Sequence, residues 1–257
     1  MADIRNIRRN GDNTPDKICR CIGGNLHEIK RIYKSMSGQP VIVWDIEEED
    51  FLIFKIKSDI ETISLRNLEY ICHEGLVFWG DGTSESYFSN QEFTHTYSVT
   101  STEKEIKITA ALEMLQDFSF DSMPITEIKI PSCITKIGSW AFQNSDIVRI
   151  EIPDSVSSVG NQMFQDCSSL EYCKLTENEN YIAITNNMFY NAINLKKVKF
   201  CKNIKYLVQN CFSGCSALSE IDFNGTLAEW NSITKLSGWN SYCGQITVTC
   251  KDGIVIV

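Results

Sequence analysis

Apolar residues in the second half of the chain return at long, regular intervals. Phe142 and Phe164 lie 22 residues apart, and Phe189 and Phe212 continue the series at spacings of 25 and 23. Other columns keep the same register. Ile125, Ile147, Leu170, Leu195 and Leu218 lead the units. Ile128, Ile150, Cys173, Val198 and Ile221 follow three positions later, and Ile130, Ile152, Leu175, Phe200 and Phe223 two beyond those. Ile137, Val159, Ile184 and Leu207 stand five positions before each phenylalanine. Apolar positions separated by one polar residue make a strand with one buried face. The stretch carrying each Phe predicts a turn and a short helical piece. One such unit cannot bury its own apolar face, so units of about 20–29 residues with a strand each stack into a solenoid. The phenylalanines are expected to form a continuous buried spine.

Two further columns bear on the cysteines. Three residues after each Phe come Ser145, Cys167, Ala192 and Cys215, and one residue before it come Ala141, Met163, Met188 and Cys211. The pair Cys211 and Cys215 therefore fills two packing columns rather than a metal site, and Cys173 is a strand core position. Cys133 and Cys201 fall outside these columns.

Residues 41–110 alternate differently. Val41–Trp44, Phe51–Lys57, Thr62–Leu65, Leu76–Trp79, Phe93–Val99 and Ile106–Thr109 read as strands, several separated by turn residues. Within 1–40, Ile4–Ile7, Ile18–Ile22 and Ile29–Tyr33 read as short strands around the turn-forming Gly11-Asp12-Asn13 and Gly23-Gly24-Asn25. Such a segment buries little by itself. It packs on the neighbouring strands or is completed by another protein.

Charge divides the chain. The 257 residues carry a net −9, yet residues 1–34 hold eight Lys/Arg against four acids, a local +4 that leaves −13 for the remainder. An acidic body argues against nucleic acid as a partner. The basic head suits docking on an acidic partner, with Arg5, Arg8 and Arg9 as the candidate contacts. Eleven cysteines, scattered and odd in number, read as reduced thiols. No secretory signal and no membrane span is visible. Three histidines, His27, His73 and His95, give no metalloprotease motif, and nucleophile-elbow, P-loop and dinucleotide patterns are missing. Cys19-x-Cys21 is half a zinc site at most, and Glu47-Glu48-Glu49-Asp50 reads as a charged turn. The expectation is a protein without catalytic residues, metal or cofactor.

The repeated unit Leu-x-x-Ile-x-Ile-Pro-x-x-Val-x-x-Ile-Gly-x-x-Ala-Phe-x-x-Cys resembles the BspA-type leucine-rich repeat, best at 125–145 and 147–170. The tail, Phe223-Asn-Gly-Thr-Leu-Ala-Glu-Trp-Asn-Ser-Ile with Trp239 and Ile246-Thr-Val-Thr-Cys, is similar to that family's ending. The third unit lacks the proline and carries an insertion at 178–180. Trp79-Gly-Asp-Gly-Thr with His95-Thr-Tyr97 is similar to the PKD-type Ig-like module, where Asp81, His95 and Tyr97 would lock loops and Asp81 is the alternative calcium contact. The implied fold is multidomain and β-rich. It comprises an N-terminal docking segment (1–37), a PKD-like antiparallel β-sandwich (38–110) and a short right-handed leucine-rich-repeat solenoid with strand plus short helix per repeat and a C-terminal cap (111–257).

The family resemblance implies bacterial surface, host-adhesion and phage-associated proteins, and supplies no catalytic residues. Ile32-Tyr-Lys with Val43-Trp44 is similar to N-terminal segments of phage and prophage surface proteins. The expected function is a virion fibre or decoration protein. It would dock to other virion or surface proteins through the N-terminus, present the repeats to a host protein or glycan, and assemble as a homo-oligomer as fibres do. The alternatives are a bacterial cell-surface or secreted adhesin and an accessory module of an enzyme complex. Neither insertion into a membrane nor nucleic-acid binding is expected. On the strands' outer face one column reads Glu127, Arg149, Tyr172, Lys197, Glu220 and the next Lys129, Glu151, Lys174, Lys199, Asp222. Opposite charges face one another on the first rungs. The clustering of Lys174, Lys197 and Lys199 beside Tyr172 breaks that alternation and marks the candidate ligand patch, suited to an acidic or sugar-containing partner.

Overall fold

The computed structural model describes residues 51–257 except 66–67, 71–73, 89–91, 99–101 and 110–111, with only the backbone at 68–70, 74–76, 86–88, 109 and 112–113. It also describes the backbone of four earlier strands. These form two antiparallel hairpins, β1 (Cys19–Ile22) with β2 (Asn25–Glu28) and β3 (Arg31–Met36) with β4 (Gln39–Trp44). Arg5, Arg8, Arg9, the strand expected at Ile4–Ile7 and the acidic run at 47–50 lie outside the described residues, as do the side chains of Cys19 and Cys21.

The middle of the chain is antiparallel. Its strands are β5 (Phe51–Ile56), β6 (Thr62–Leu65), β7 (Leu68–Tyr70), β8 (Glu74–Phe78), β9 (Ser84–Phe88), β10 (Phe93–Thr96), β11 (Lys104–Thr109) and β12 (Leu112–Leu115). β5, β11, β8 and β9 run side by side, while β6 pairs with β10. β7 and β9 were not expected from the sequence.

From residue 125 the chain coils. Six parallel rungs, β13 (Ile125–Lys129), β15 (Arg149–Glu151), β17 (Tyr172–Lys174), β19 (Lys197–Cys201), β21 (Glu220–Asn224) and β23 (Thr247–Cys250), build one wall. Short rungs β14 (Lys136–Ile137), β16 (Ser158–Val159), β18 (Ala183–Ile184), β20 (Tyr206–Leu207) and β22 (Thr234–Lys235) build a second wall. The hairpin strand β24 (Gly253–Ile256) closes the first wall antiparallel to β23. At the other end β5 pairs antiparallel with β13, so one sheet of eleven strands runs from β9 to β24. β12 likewise joins β7 to β14. Hydrogen bonding thus continues across position 110, and the buried side chains of both parts form a single cluster.

The phenylalanine spine is present and is one member longer than the repeat pattern indicated. Phe120, Phe142, Phe164, Phe189 and Phe212 are fully buried and stack at 5.6, 5.5, 5.4 and 5.2 Å between centroids. Phe54 meets Phe120 edge-on at 5.3 Å, which ties the antiparallel part to the spine. Trp239 meets Phe212 edge-on at the far end. There α1 (Leu227–Ser232), held by a Thr226/Glu229 capping box, inserts Trp230 between Phe223 and Trp239.

The short helical piece expected around each Phe is not helical. Two residues in each coil take left-handed φ: Phe118 and Ser122, Trp140 and Asn144, Gln162 and Asp166, Asn187 and Asn191, Asn210 and Gly214, Gly238 and Tyr242. An α-helix does not accommodate that alternation. The backbone instead bonds to the next coil. Trp140, Phe142 and Asn144 donate to the carbonyls of Asn161, Met163 and Gln165 at 3.0, 3.0 and 2.9 Å, and the same three donors recur one coil later on Asn186, Met188 and Tyr190. These bonds hold the strained residues in place, at about 1 kcal/mol or more of strain each. Coils approach so closely that a Cβ on Gly160 would lie 2.2 Å from the Ser139 backbone nitrogen.

The insertion in the third unit has a visible effect. β16 and β18 do not pair, so the second wall divides into β7-β12-β14-β16 and β18-β20-β22. Asp154 pins the inserted loop, accepting from the Glu177 N–H at 2.9 Å, while its carbonyl accepts from Asn178 Nδ2 at 2.9 Å.

Candidate functional site

The parallel register sets the outer face of the first wall. Arg149, Tyr172, Lys197, Glu220 and Thr247 lie in one row, and Glu151, Lys174, Lys199, Asp222 and Thr249 in the next. Tyr172, Lys174, Lys197 and Lys199 are therefore brought together on β17 and β19. They do not carry equal free charge. Lys197 Nζ reaches Asp222 at 2.8 Å and Glu220 at 3.1 Å. Those two carboxylates hold its ammonium above the ordinary range. The expected like-charge repulsion at Lys197 is relieved by the following rung, so Lys197 is not a free cation.

Lys174 lies 4.0 Å from Glu151, at the limit of an ion pair. Lys199, directly opposite Lys174, makes no ion pair among the described residues. Glu127 and Arg149 are register partners, but Glu127 pairs with Lys55 at 2.8 Å. The Arg149 guanidinium covers the Tyr172 ring at 3.8 Å and bonds Glu151 at 2.8 Å. Glu151 raises the Arg149 pKa. The Tyr172 face is consequently occupied from one side. The open part of the patch is Lys174 and Lys199, and Lys55 is a charge partner the repeat columns could not reveal because it belongs to the antiparallel strand β5.

The Trp79–Tyr97 cluster forms a second constellation. Asp81 Oδ1 accepts from the Thr83 N–H at 2.9 Å and the Thr83 hydroxyl at 2.6 Å, and Oδ2 lies 2.9 Å from His95 Nε2. Burial pushes the Asp81 carboxyl up, but the Thr83 and His95 hydrogen bonds outweigh it and hold it down at about 2. His95 stacks on Trp79 at 4.6 Å, and the Tyr97 hydroxyl donates to the Trp79 carbonyl at 2.9 Å. Gly80, at φ +78°, sits where a Cβ would strike the Glu105 carbonyl at 2.5 Å. Both Asp81 oxygens are thus engaged in fastening a turn. Among the described residues no group of three or more His, Cys, Asp or Glu is placed to hold a metal ion.

None of the described cysteines is in a disulfide. Cys167, Cys215 and Cys243 each donate a thiol hydrogen bond to a spine residue one coil back, to the carbonyls of Phe142, Phe189 and Phe212 at 2.9, 3.0 and 3.0 Å. Cys243 thus joins the small-residue column. Burial raises the Cys167 and Cys243 thiols to about 11 and pushes Cys173, Cys211 and Cys215 up as well.

The sequence profile described as BspA type Leucine rich repeat region (6 copies) matches residues 86–219, more than half of the chain. The chain belongs to the BspA-type leucine-rich repeat family. The match begins ahead of the first complete repeat and stops before the closing rung β23. Solved structures with similarity to the chain include leucine-rich repeat proteins from Eubacterium ventriosum (20% identity, TM-score 0.42, covering 52% of this chain and 41% of that one) and Bacteroides ovatus (16%, 0.34, 54% and 42%). A leucine rich cell surface protein from Faecalibacterium prausnitzii is also similar (18%, 0.33, 49% and 36%). The chain therefore spans about two fifths of the length of these structures. No curated protein matches it. No helix among the described residues is long and apolar enough to cross a membrane.

Proposed function

We propose that this BspA-type array is a non-enzymatic display module. Its outer sheet face would bind an acidic protein or an anionic glycan at β17 and β19, and its basic N-terminal residues, Arg5, Arg8 and Arg9 among them, would dock it on a larger assembly. The observation that carries the reading is the pairing of Lys174 with Lys199 on adjacent rungs of a sheet whose other charges are mostly neutralised by neighbours. Two ammonium groups facing each other repel, and a bound anion relieves that repulsion. Tyr172, with Arg149 over its ring, and the neutralised Lys197 would border the ligand rather than grip it. In the middle of the chain, the Asp81, His95 and Tyr97 contacts support the PKD-like reading of 38–110.

Two settings fit the module. Membership of a bacterial repeat family supports a cell-surface or secreted adhesin. The thiol form of the described cysteines supports a virion component assembled in a reducing cytoplasm. Protease shaving of intact cells and mass spectrometry of purified particles separate the two. The binding face is tested by probing an array of sulfated, sialylated and neutral glycans, together with immobilised polyglutamate, with the wild type and with Lys174→Glu/Lys199→Glu. Binding to the anionic probes that weakens with added salt and falls at least tenfold in the variant is expected. Equal signal from both proteins overturns the assignment.

A further inference from the structure

The last two strands of the outer sheet face differ from all the coils before them. Each parallel rung from β13 to β21 carries at least one charged residue at its outward positions, whereas β23 and β24 present only Thr247, Thr249, Ile254 and Ile256. Ile254 and Ile256 are 63% and 56% exposed. Isolated exposed aliphatics are common, but two on one edge strand, with no charge beside them on the neighbouring strand, make an uncharged band of the kind found at the centre of interfaces.

The same two residues lie on the outer backbone edge of β24, with which no strand pairs among the described residues. Ile246 and Val257 exchange both hydrogen bonds at 3.0 Å. Antiparallel pairs alternate between bonded and non-bonded, so Val248–Val255 and Cys250–Gly253 are the other bonded pairs of this ladder. The N–H and C=O groups of Ile254 and Ile256 then point away from β23. Edge strands are normally blunted by proline, a bulge or a charge pointing out of the edge. Gly253-Ile-Val-Ile-Val257 has none of these, and Lys251 and Asp252 sit at the hairpin tip instead.

We propose that β24 is a self-association edge, on which two copies of the chain pair β24 to β24 antiparallel about a two-fold axis at Val255. In that register Ile254 of one copy lies opposite Ile256 of the other, and each such pair exchanges two backbone hydrogen bonds. The arrangement is self-complementary and brings no like charges together, because the facing rows are threonine and isoleucine in both copies. A single strand edge with its flanking side chains buries less than the ~800 Å² per partner of a standard interface, so the dimer is a weak one, with a Kd in the micromolar range or above.

Sedimentation equilibrium of the full chain over about 5–500 µM, bracketing that range, is the test. The weight-average mass is expected to rise from 29.2 kDa toward twice that value. Ile254→Lys/Ile256→Lys, at two exposed positions, should raise the dissociation constant at least tenfold while leaving the thermal midpoint unchanged. Ile256→Lys alone, a milder change, should show the same direction. A constant monomer mass across the range, or a dimer as tight in the lysine variants as in the wild type, overturns the proposal.

Discussion

Phe164→Ala probes the spine at its centre. The ring is fully buried and stacks on Phe142 at 5.5 Å and on Phe189 at 5.4 Å, with interplanar angles of 11° and 15°. Truncating a buried Phe to Ala costs about 3–5 kcal/mol through lost transfer energy and the remaining cavity. Each ring–ring contact adds roughly 0.5–1.5 kcal/mol. Both faces of Phe164 are covered, and its coil is tied to the next by rigid backbone ladders that resist collapse, so a loss of about 4–6 kcal/mol follows. Urea unfolding followed by circular dichroism measures it. The midpoint should drop sharply, and Phe164→Leu should recover more than half of the loss by refilling the site. A double-mutant cycle with Phe189→Leu should show coupling of about 0.5–1.5 kcal/mol. A Phe164→Ala loss below about 1 kcal/mol, or a leucine variant as damaged as the alanine one, would refute the stacked-spine argument.

Two further outcomes follow from local geometry. Gly160→Ala places a Cβ 2.2 Å from the Ser139 nitrogen, and because the obstacle is backbone rather than a flexible side chain, a loss of roughly 2–4 kcal/mol is expected in the same urea assay. Asp81 titrates near 2 in the folded chain against an ordinary 3.8. Its contribution is fully present above about pH 4 and disappears as the pH falls toward 2, and with the carboxyl partly in water it amounts to roughly 1–2 kcal/mol. Asp81→Asn should therefore be less stable than wild type at pH 6, with the gap closing below pH 3; a pH-independent gap would show that the carboxylate charge is not what fastens the turn.

The columns that made the array readable are those where a coil repeats its neighbour. Phe142, Phe164, Phe189 and Phe212 stood out because the strand and turn residues around them recur in step. Phe120 did not, since its coil has a parallel rung in the second wall only, where β12 meets β14, and in the first wall β5, nearly seventy residues earlier, takes that place antiparallel. Leu115, five positions before Phe120, is the one trace of its register. The turns were misread as helical because spacing says nothing about the sign of φ, although Asn144, Asp166, Asn191 and Gly214, residue types that tolerate left-handed backbone, occupied the telling positions. At the candidate site the rows were legible and the ion pairs were not. Lys197 reached diagonally to Asp222 and Arg149 turned along its own strand to Glu151, which left Lys199, half-buried, without an ion pair among the described residues.

The turn ladder gives the array a sense of direction. In the first four coils the N–H groups of both left-handed residues and of the spine phenylalanine face forward, onto carbonyls of the coil that follows, and in the fifth Phe212 and Gly214 do the same. Removing a coil from the front frees carbonyls, which accept water or remain under-bonded at modest cost. Removing one from the back strands N–H donors, which proteins seldom leave unpaired. Trimming from the two ends should thus be unequally tolerated, and growth by adding units should be easiest where the forward-facing donors of Gly238, Asn240 and Tyr242 meet no acceptor among the described residues.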